Sequence, residues 1–392
     1  MSQVDTDGSV TREAGPSSGR RGREGSSNRA GELETSEPSA AQMRVLVVTG
    51  LSQKNARHYG PLADVADEVT LVSLDPEYAI DGARYVPVPQ IGPRIFRIFV
   101  LFFLALYEGY RNEYDAVASI SLLPYGFYAL ALRTVYGYPA HLGIIGIDLD
   151  HHAHQWYGPL PRTAFRRFDA VSVPGPSHAR ELAGMGVPED RIEILTNAID
   201  VETYRPLEDA PESEYDLVWV GRFSAEKAPL RFVEALAELE ARAHDSEVRA
   251  VMVGDGPLRS DVQVALQEAG LDNCVDLPGW VDEPAEYYHR GEVFVLTSRR
   301  DAFPFVMVEA MATGLAPVVP PVGSIPDVIE DGENGLLVSD RYPRTFATAI
   351  DRLLADDAAR QAIAESAATT GTNFSLEQAG EDWRAILGTL AS

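Results

Sequence analysis

Short apolar runs alternate with helix-length stretches along most of the chain. The first run covers residues 43–49, and others follow at 69–74, 116–120, 142–145 and 170–173. Most of these runs are apolar at nearly every position, not at every second one. That is the pattern of strands covered on both faces, as in a parallel sheet. Helix-length stretches such as 94–109 and 124–136 lie between them. A second series has strand-like runs at 217–220, 248–253, 275–277, 293–296, 317–319 and 336–338. Its helical stretches are 229–243, 259–270 and 304–313. Two such series predict an α/β fold of two doubly wound, Rossmann-like domains. The Pro206 and Pro211 stretch at 200–215 is the natural linker, giving domains 43–205 and 206–374. Domains of this type bind ligands beyond the carboxyl ends of their strands. A cleft between the two is therefore the expected active site.

Composition narrows the picture. The chain has 392 residues, 45% of them hydrophobic, and a formal net charge of −26. That charge argues against general nucleic-acid binding, because phosphates are repelled. Of 33 Lys plus Arg, only Lys54 and Lys227 are lysines. An acidic, lysine-poor chain suggests a salt-rich cytosol, where ionic strength screens self-repulsion. Cys274 is the single cysteine, which fits a reducing compartment. Residues 1–42 are polar and rich in Ser, Gly, Glu and Arg, so disorder is expected there. They show no apolar export signal, and Met43 is a conceivable start. The longest apolar run, 98–107, is too short for a bilayer span of about 20 residues. The stretch 94–107 joins arginines to an apolar face. It reads equally as a buried helix or as one lying on a membrane surface.

The segment 293–317 carries the most chemistry. A buried strand runs into Thr297-Ser298-Arg299-Arg300-Asp301. Pro304 stands where a helix should begin, and Gly314 where it should stop. The start of such a helix is an anion site. Glu309 follows among apolar neighbours and needs a partner there. An arginine or a ribose diol would serve. A second loop, Gly221-Arg222-Phe223-Ser224-Ala225-Glu226-Lys227, brings two cations to the end of another strand. Two cations suit a pyrophosphate and offset charge on a departing nucleotide. A solvated surface loop is the plainer reading, but this chain otherwise avoids lysine.

These residues form a larger set. Val220-Gly221-Arg222 with Glu226-Lys227 is followed by Val253-Gly254-Asp255-Gly256-Pro257 and Pro278-Gly279-Trp280-Val281. Asp301-Ala302-Phe303-Pro304-Phe305 leads to Glu309-Ala310-Met311-Ala312-Thr313-Gly314. The stretches 322–329 and 331–338 complete the series. In this order they resemble the retaining glycosyltransferases of family four, of GT-B fold. The resemblance implies that Arg222 and Lys227 bind a donor diphosphate and Glu309 the donor ribose. The backbone near Phe305 and Val306 would touch phosphates and sugar, Gly254 would help bind the donor, and Val281 would lie against the base. Asp301 stands where the family usually has Glu, one methylene longer. It would orient the donor sugar. The nucleotide sugar is a substrate, so no cofactor is implied, and no bound metal. The last helix, 375–392, would pack back on the first domain.

The first domain is less explicit. Gly50-Leu51-Ser52-Gln53-Lys54-Asn55 has one glycine and supports no phosphate-cradling loop. Lys54 faces the cleft or is an ordinary loop lysine. Gly146-Ile147-Asp148 resembles the family's His-Gly-x-Asp stretch, with Ile145 at the His position. Asp148, with His151 nearby, would then stand on the acceptor side. His151, His152 and His154 with two aspartates suggest a metal site instead, but their spacing is not a standard ligand pattern. The acceptor would be a glycan, a lipid-linked sugar or a small molecule. A phosphorylase, an epimerase or a non-catalytic binder on the same architecture are the rival readings.

Overall fold

The structure is a computed structural model that describes residues 43–50, 53–74, 80–144, 146–150, 152–207, 213–242 and 248–392. The segment 1–42, read above as disordered, lies outside the described residues.

The first lobe holds strands β1 (Arg44–Thr49), β2 (Glu68–Ser73), β3 (Ala83–Pro87), β4 (Ala116–Ile120), β5 (Ala140–Gly143), β6 (Ala170–Val173) and β7 (Ile192–Ile194). They form one parallel sheet in the order β3-β2-β1-β4-β5-β6-β7. The second lobe holds β8 (Tyr215–Val220), β9 (Ala250–Val253), β10 (Val275–Gly279), β11 (Gly291–Val295), β12 (Ala316–Val319) and β13 (Leu336–Leu337). Its parallel order is β10-β9-β8-β11-β12-β13. The doubly wound α/β fold is thus present twice. Strand order reverses between β1 and β4 and between β8 and β11. Such a switch point opens a crevice at the strand ends.

The continuous apolar runs became the central strands, because helices cover both faces. Strands β3 and β7 were not anticipated. Both are outer strands with no fully buried residue, so neither needs an unbroken apolar run. The stretch 50–55, read as a loop, instead leads into a helix, Gln53–Val65. Lys54 falls in its first turn.

The helix Leu376–Ala391 packs on the first sheet although it ends the chain. Ser375 caps it, accepting from the Gln378 amide at 3.1 Å. Trp383 is fully buried among Val45, Leu71 and Leu195, and its indole donates to the His58 carbonyl at 2.8 Å. Beneath it lies His141, with ring centroids 5.0 Å apart. Complete burial pushes the His141 imidazole down to about 3, so it stays neutral.

Side chains also join the lobes. Asp327 accepts from the Ser177 amide at 2.9 Å and its hydroxyl at 2.5 Å. His178 is buried and meets Ser324 Oγ at 2.5 Å. Asn197 donates to the Phe303 carbonyl at 3.1 Å.

Trp383→Ala removes the largest side chain in this seam. Unfolding free energy in urea should fall by about 3–5 kcal/mol. An unchanged denaturation midpoint would contradict this account of how the last helix is held.

Candidate functional site

The site follows from the strand ends of the second sheet. After β8 the chain turns at Gly221 and presents Arg222 and Lys227. After β9 it passes Gly254, at φ +136. A side chain there could not be accommodated. A Cβ would stand 1.9 Å from the Gly221 carbonyl oxygen. The two loops therefore touch backbone to backbone, and glycine is required by contact as well as by φ. After β11 the chain reaches Asp301 and the helix Phe305–Thr313. Pro304 occupies the position just before the first helical turn, not the first turn itself, with extended φ/ψ of −80° and 114°. It offers no side-chain cap. The first amides of any helix lack partners within it.

These elements enclose a cavity of about 500 Å³. Arg222, Lys227, Gly254, Val281, Asp301, Phe305, Val306 and Glu309 all line it. So eight residues singled out from the sequence converge on one space. Lys227 Nζ is bound by the Asp301 carboxylate, which also lies 3.5 Å from the Ser298 hydroxyl. Arg222 is exposed, and no hydrogen bond holds its guanidinium among the described residues.

Glu309 lies deeper, at 3% exposure. Its partner is an arginine, one of the two options its burial left open. Arg57 Nη1 donates to Oε1 at 2.7 Å, and the Tyr288 hydroxyl donates to Oε2 at 3.3 Å. Burial pushes the Glu309 carboxyl above the ordinary glutamate range; Arg57 and Tyr288 pull it part of the way back. Arg57 comes from the first lobe, on the helix Gln53–Val65, and its guanidinium stands 5.5 Å from the Phe305 ring centre. Sequence reasoning missed Arg57. It lies in no recognisable motif, and only its spacing of three residues from Lys54 could have drawn attention.

Of the first-lobe candidates, the side chain of Lys54 lies outside the described residues. Asp148 is buried and accepts from the Leu122 amide at 2.9 Å. Burial holds its carboxyl above the usual range, while Leu122 and His152 oppose that. It does not line the cavity. Its neighbour Gly146, at φ +144, does approach the second lobe, where a Cβ would come 3.1 Å from Ala302 Cβ. His151 lies outside the described residues. His152 meets the Tyr157 hydroxyl at 2.6 Å and His154 the Glu181 carboxylate at 2.7 Å. Among the described residues, no group of three His, Cys, Asp or Glu is arranged to hold a metal ion.

Two doubly wound lobes with a cation-lined cavity at their strand ends define a GT-B protein. Solved structures agree on the fold. The Anabaena HepE protein in complex with UDP-glucose superposes with a TM-score of 0.73 at 18% identity, covering 88% of this chain and 100% of that one. Sucrose-phosphate synthase from Thermosynechococcus elongatus gives 0.70 at 20% identity, covering 86% and 96%. The family described as Glycosyl transferases group 1 matches residues 214–356, and Glycosyltransferase Family 4 matches residues 59–203. The chain belongs to this group 1, family 4 set of glycosyltransferases. Among curated relatives, the alpha-D-kanosaminyltransferase of Streptomyces kanamyceticus is 33% identical over 173 residues, 43% of this chain and 44% of that protein. A D-inositol 3-phosphate glycosyltransferase of Paenarthrobacter aurescens is 27% identical over 216 residues, 52% of this chain and 53% of that protein. The chain thus spans about half the length of the curated relatives it matches.

Arg57→Gln removes the cation beside Glu309. The carboxyl should then ionise at higher pH, since a nearby positive charge favours the ionised form. Carbon-13 NMR titration of Glu309 reads this directly. A midpoint that stays put or falls would refute the pairing.

Proposed function

We propose that this protein is a retaining glycosyltransferase, moving a hexosyl group from a nucleotide sugar to an acceptor without a bound metal. The convergence of Arg222, Lys227, Asp301 and Glu309 on one cavity carries this reading. A nucleoside diphosphate has two features to satisfy, a diol and a pair of phosphates. Glu309 accepts hydrogen bonds from the ribose diol. Arg222, Lys227 and the start of the helix Phe305–Thr313 offset the charge that grows on the leaving diphosphate. The Lys227–Asp301 pair fixes the ammonium before substrate arrives, which lowers the reorganisation needed at reaction. Asp301 orients the donor sugar, and Val281 and its neighbours flank the base. The acceptor approaches from the first lobe, past Gly146. Two neighbours in fold hold UDP or UDP-glucose, which supports a nucleotide-sugar donor. The protein would work in a salt-rich cytosol.

Donor turnover measured across nucleotide sugars, with and without acceptor, tests the reading. Lys227→Ala should cost about 10²–10³-fold in kcat, with chelator leaving the wild type unaffected. Product NMR should show the donor's anomeric configuration kept. Inversion would sink the retaining assignment. Equal turnover by Lys227→Ala would sink the role of the cation.

The acceptor is proposed to be lipid-linked, reached from a membrane surface. The helix Arg94–Arg111 buries Leu101, Ala105 and Glu108 on one side. Its other side exposes Ile95, Phe99, Phe103 and Tyr107, each more than half accessible. Both readings offered by its sequence therefore have a face. Among the described residues, no helix is long and apolar enough to cross a membrane. Arg94 and Arg97 begin this helix, which suits anionic lipid. Phe99→Ser with Phe103→Ser should abolish co-sedimentation with vesicles containing phosphatidylglycerol. Undiminished co-sedimentation would show that the helix is not the contact.

A further inference from the structure

We propose that the second lobe carries a separate site for a phosphate-class anion, built from Arg231, Arg299 and Arg341. The three guanidinium groups line one cavity of about 730 Å³, together with Glu234, Asp340 and Tyr342. That cavity shares no lining residue with the one around Glu309. The inference is therefore independent of the transfer reaction proposed above.

Charge is the first argument. The chain has 59 Asp plus Glu against 33 Lys plus Arg. Several other arginines take carboxylate partners, as Arg44, Arg133, Arg290 and Arg360 do. Among the described residues, Arg231, Arg299 and Arg341 have no carboxylate within ion-pairing distance. They crowd one another instead. After burial, Arg299 and Arg341 are the next influences that hold the Arg231 guanidinium below the ordinary arginine range, and Glu234 opposes only weakly. Asp340 is already engaged by the Tyr342 amide at 3.1 Å and the Thr345 hydroxyl at 2.8 Å. Like charges held together in a chain with many spare carboxylates call for a counter-ion.

Geometry is the second argument. Arg231 is fixed by its bond from Nη1 to the Thr297 carbonyl at 2.7 Å. Arg341 Nη1 donates to the Arg299 carbonyl at 3.4 Å, which keeps those two residues together. Guanidinium forks match tetrahedral oxyanions in paired hydrogen bonds. A single carboxylate would neutralise one of the three charges. A phosphate dianion would neutralise two and offers oxygens to all three groups. The ligand class is thus a phosphate group, free or carried by a lipid headgroup.

The site backs onto the donor cavity. Thr297 Oγ1 donates to the Ala228 carbonyl at 3.0 Å, and the Arg299 amide donates to the Glu226 carbonyl at 2.7 Å. Arg231 and Arg299 are thus hydrogen-bonded to the same segment that presents Lys227 and Asp301.

The test uses the full chain and two probes. One is sodium orthophosphate in calorimetric titration at low ionic strength. The other is phosphatidylcholine vesicles containing phosphatidic acid. Arg299→Gln with Arg341→Gln should weaken orthophosphate binding by about tenfold or more. Arg299→Lys with Arg341→Lys should retain part of it. Arg222→Gln, which disarms the other cavity, should leave it in place. Circular dichroism confirms that each variant is folded. Response to the vesicles alone, lost in the Gln pair, assigns the headgroup as the source and supports the site. Binding lost with Arg222→Gln but kept in the Gln pair overturns the proposal, as does no response of the wild type to either probe. If phosphate binds here while no nucleotide sugar is turned over, the proposed function fails and this site stands.

Discussion

A carboxylate at 3% exposure cannot stand alone, and the arrangement of the cleft follows from what Glu309 needs. It sits in the helix Phe305–Thr313, almost every residue of which is buried. Water cannot reach it in quantity, so donors must come from protein or ligand. Tyr288 supplies one from beneath, and Arg57 supplies another from across the lobes. That second bond joins residues 252 positions apart in sequence. It makes the polar floor of the cavity a joint product of both domains. A ligand diol would meet a carboxylate already oriented by Arg57 and Tyr288. It would also meet a cation from the opposite lobe, so occupancy and domain approach become linked quantities.

The loop that carries Asp301 depends on the same seam. Gly323, at φ +57, leaves no room for a side chain against the Asp301 and Ala302 carbonyls. Ser324 then donates its amide to the Ala302 carbonyl at 2.8 Å, while its hydroxyl meets His178 of the first lobe. Asn197 holds the next carbonyl, that of Phe303. The position of the Asp301 loop is thus set from three directions, two of them in the other domain. The shorter Asp301 side chain still lets its carboxylate reach Lys227.

The fold class was legible because parallel sheets leave a plain trace. Their central strands are buried on both faces and read as unbroken apolar runs. Outer strands β3 and β7 carry no such constraint and left none. The second-lobe site was legible for a similar reason. Arg222, Lys227, Gly254, Asp301 and Glu309 each lie directly after a strand or inside the following helix, so local sequence fixes their neighbours. Arg57 reaches the same cavity only through tertiary contact between domains, and nothing in its own surroundings encodes that. The 146–151 stretch shows the converse. Its sequence suggested chemistry, yet the Asp148 carboxylate is spent on the Leu122 amide, while Gly146 approaches the Asp301 loop. Local sequence can nominate a polar group, but it cannot tell which way the group faces.

Net charge and local charge have opposite signs here, and distance decides between them. At physiological salt, charges further apart than about 8 Å are largely screened from one another in solvent. In a salt-rich cytosol that range is shorter still. The excess of 26 negative charges is a property of the whole surface. An anion inside the cavity instead meets Arg222 and Lys227 at contact range, with apolar walls that limit screening. At position 227, one of the two lysines in the chain, the ammonium is matched to Asp301. Its charge is placed, not merely present. The acidic surface therefore does not cancel the field where a phosphate would sit.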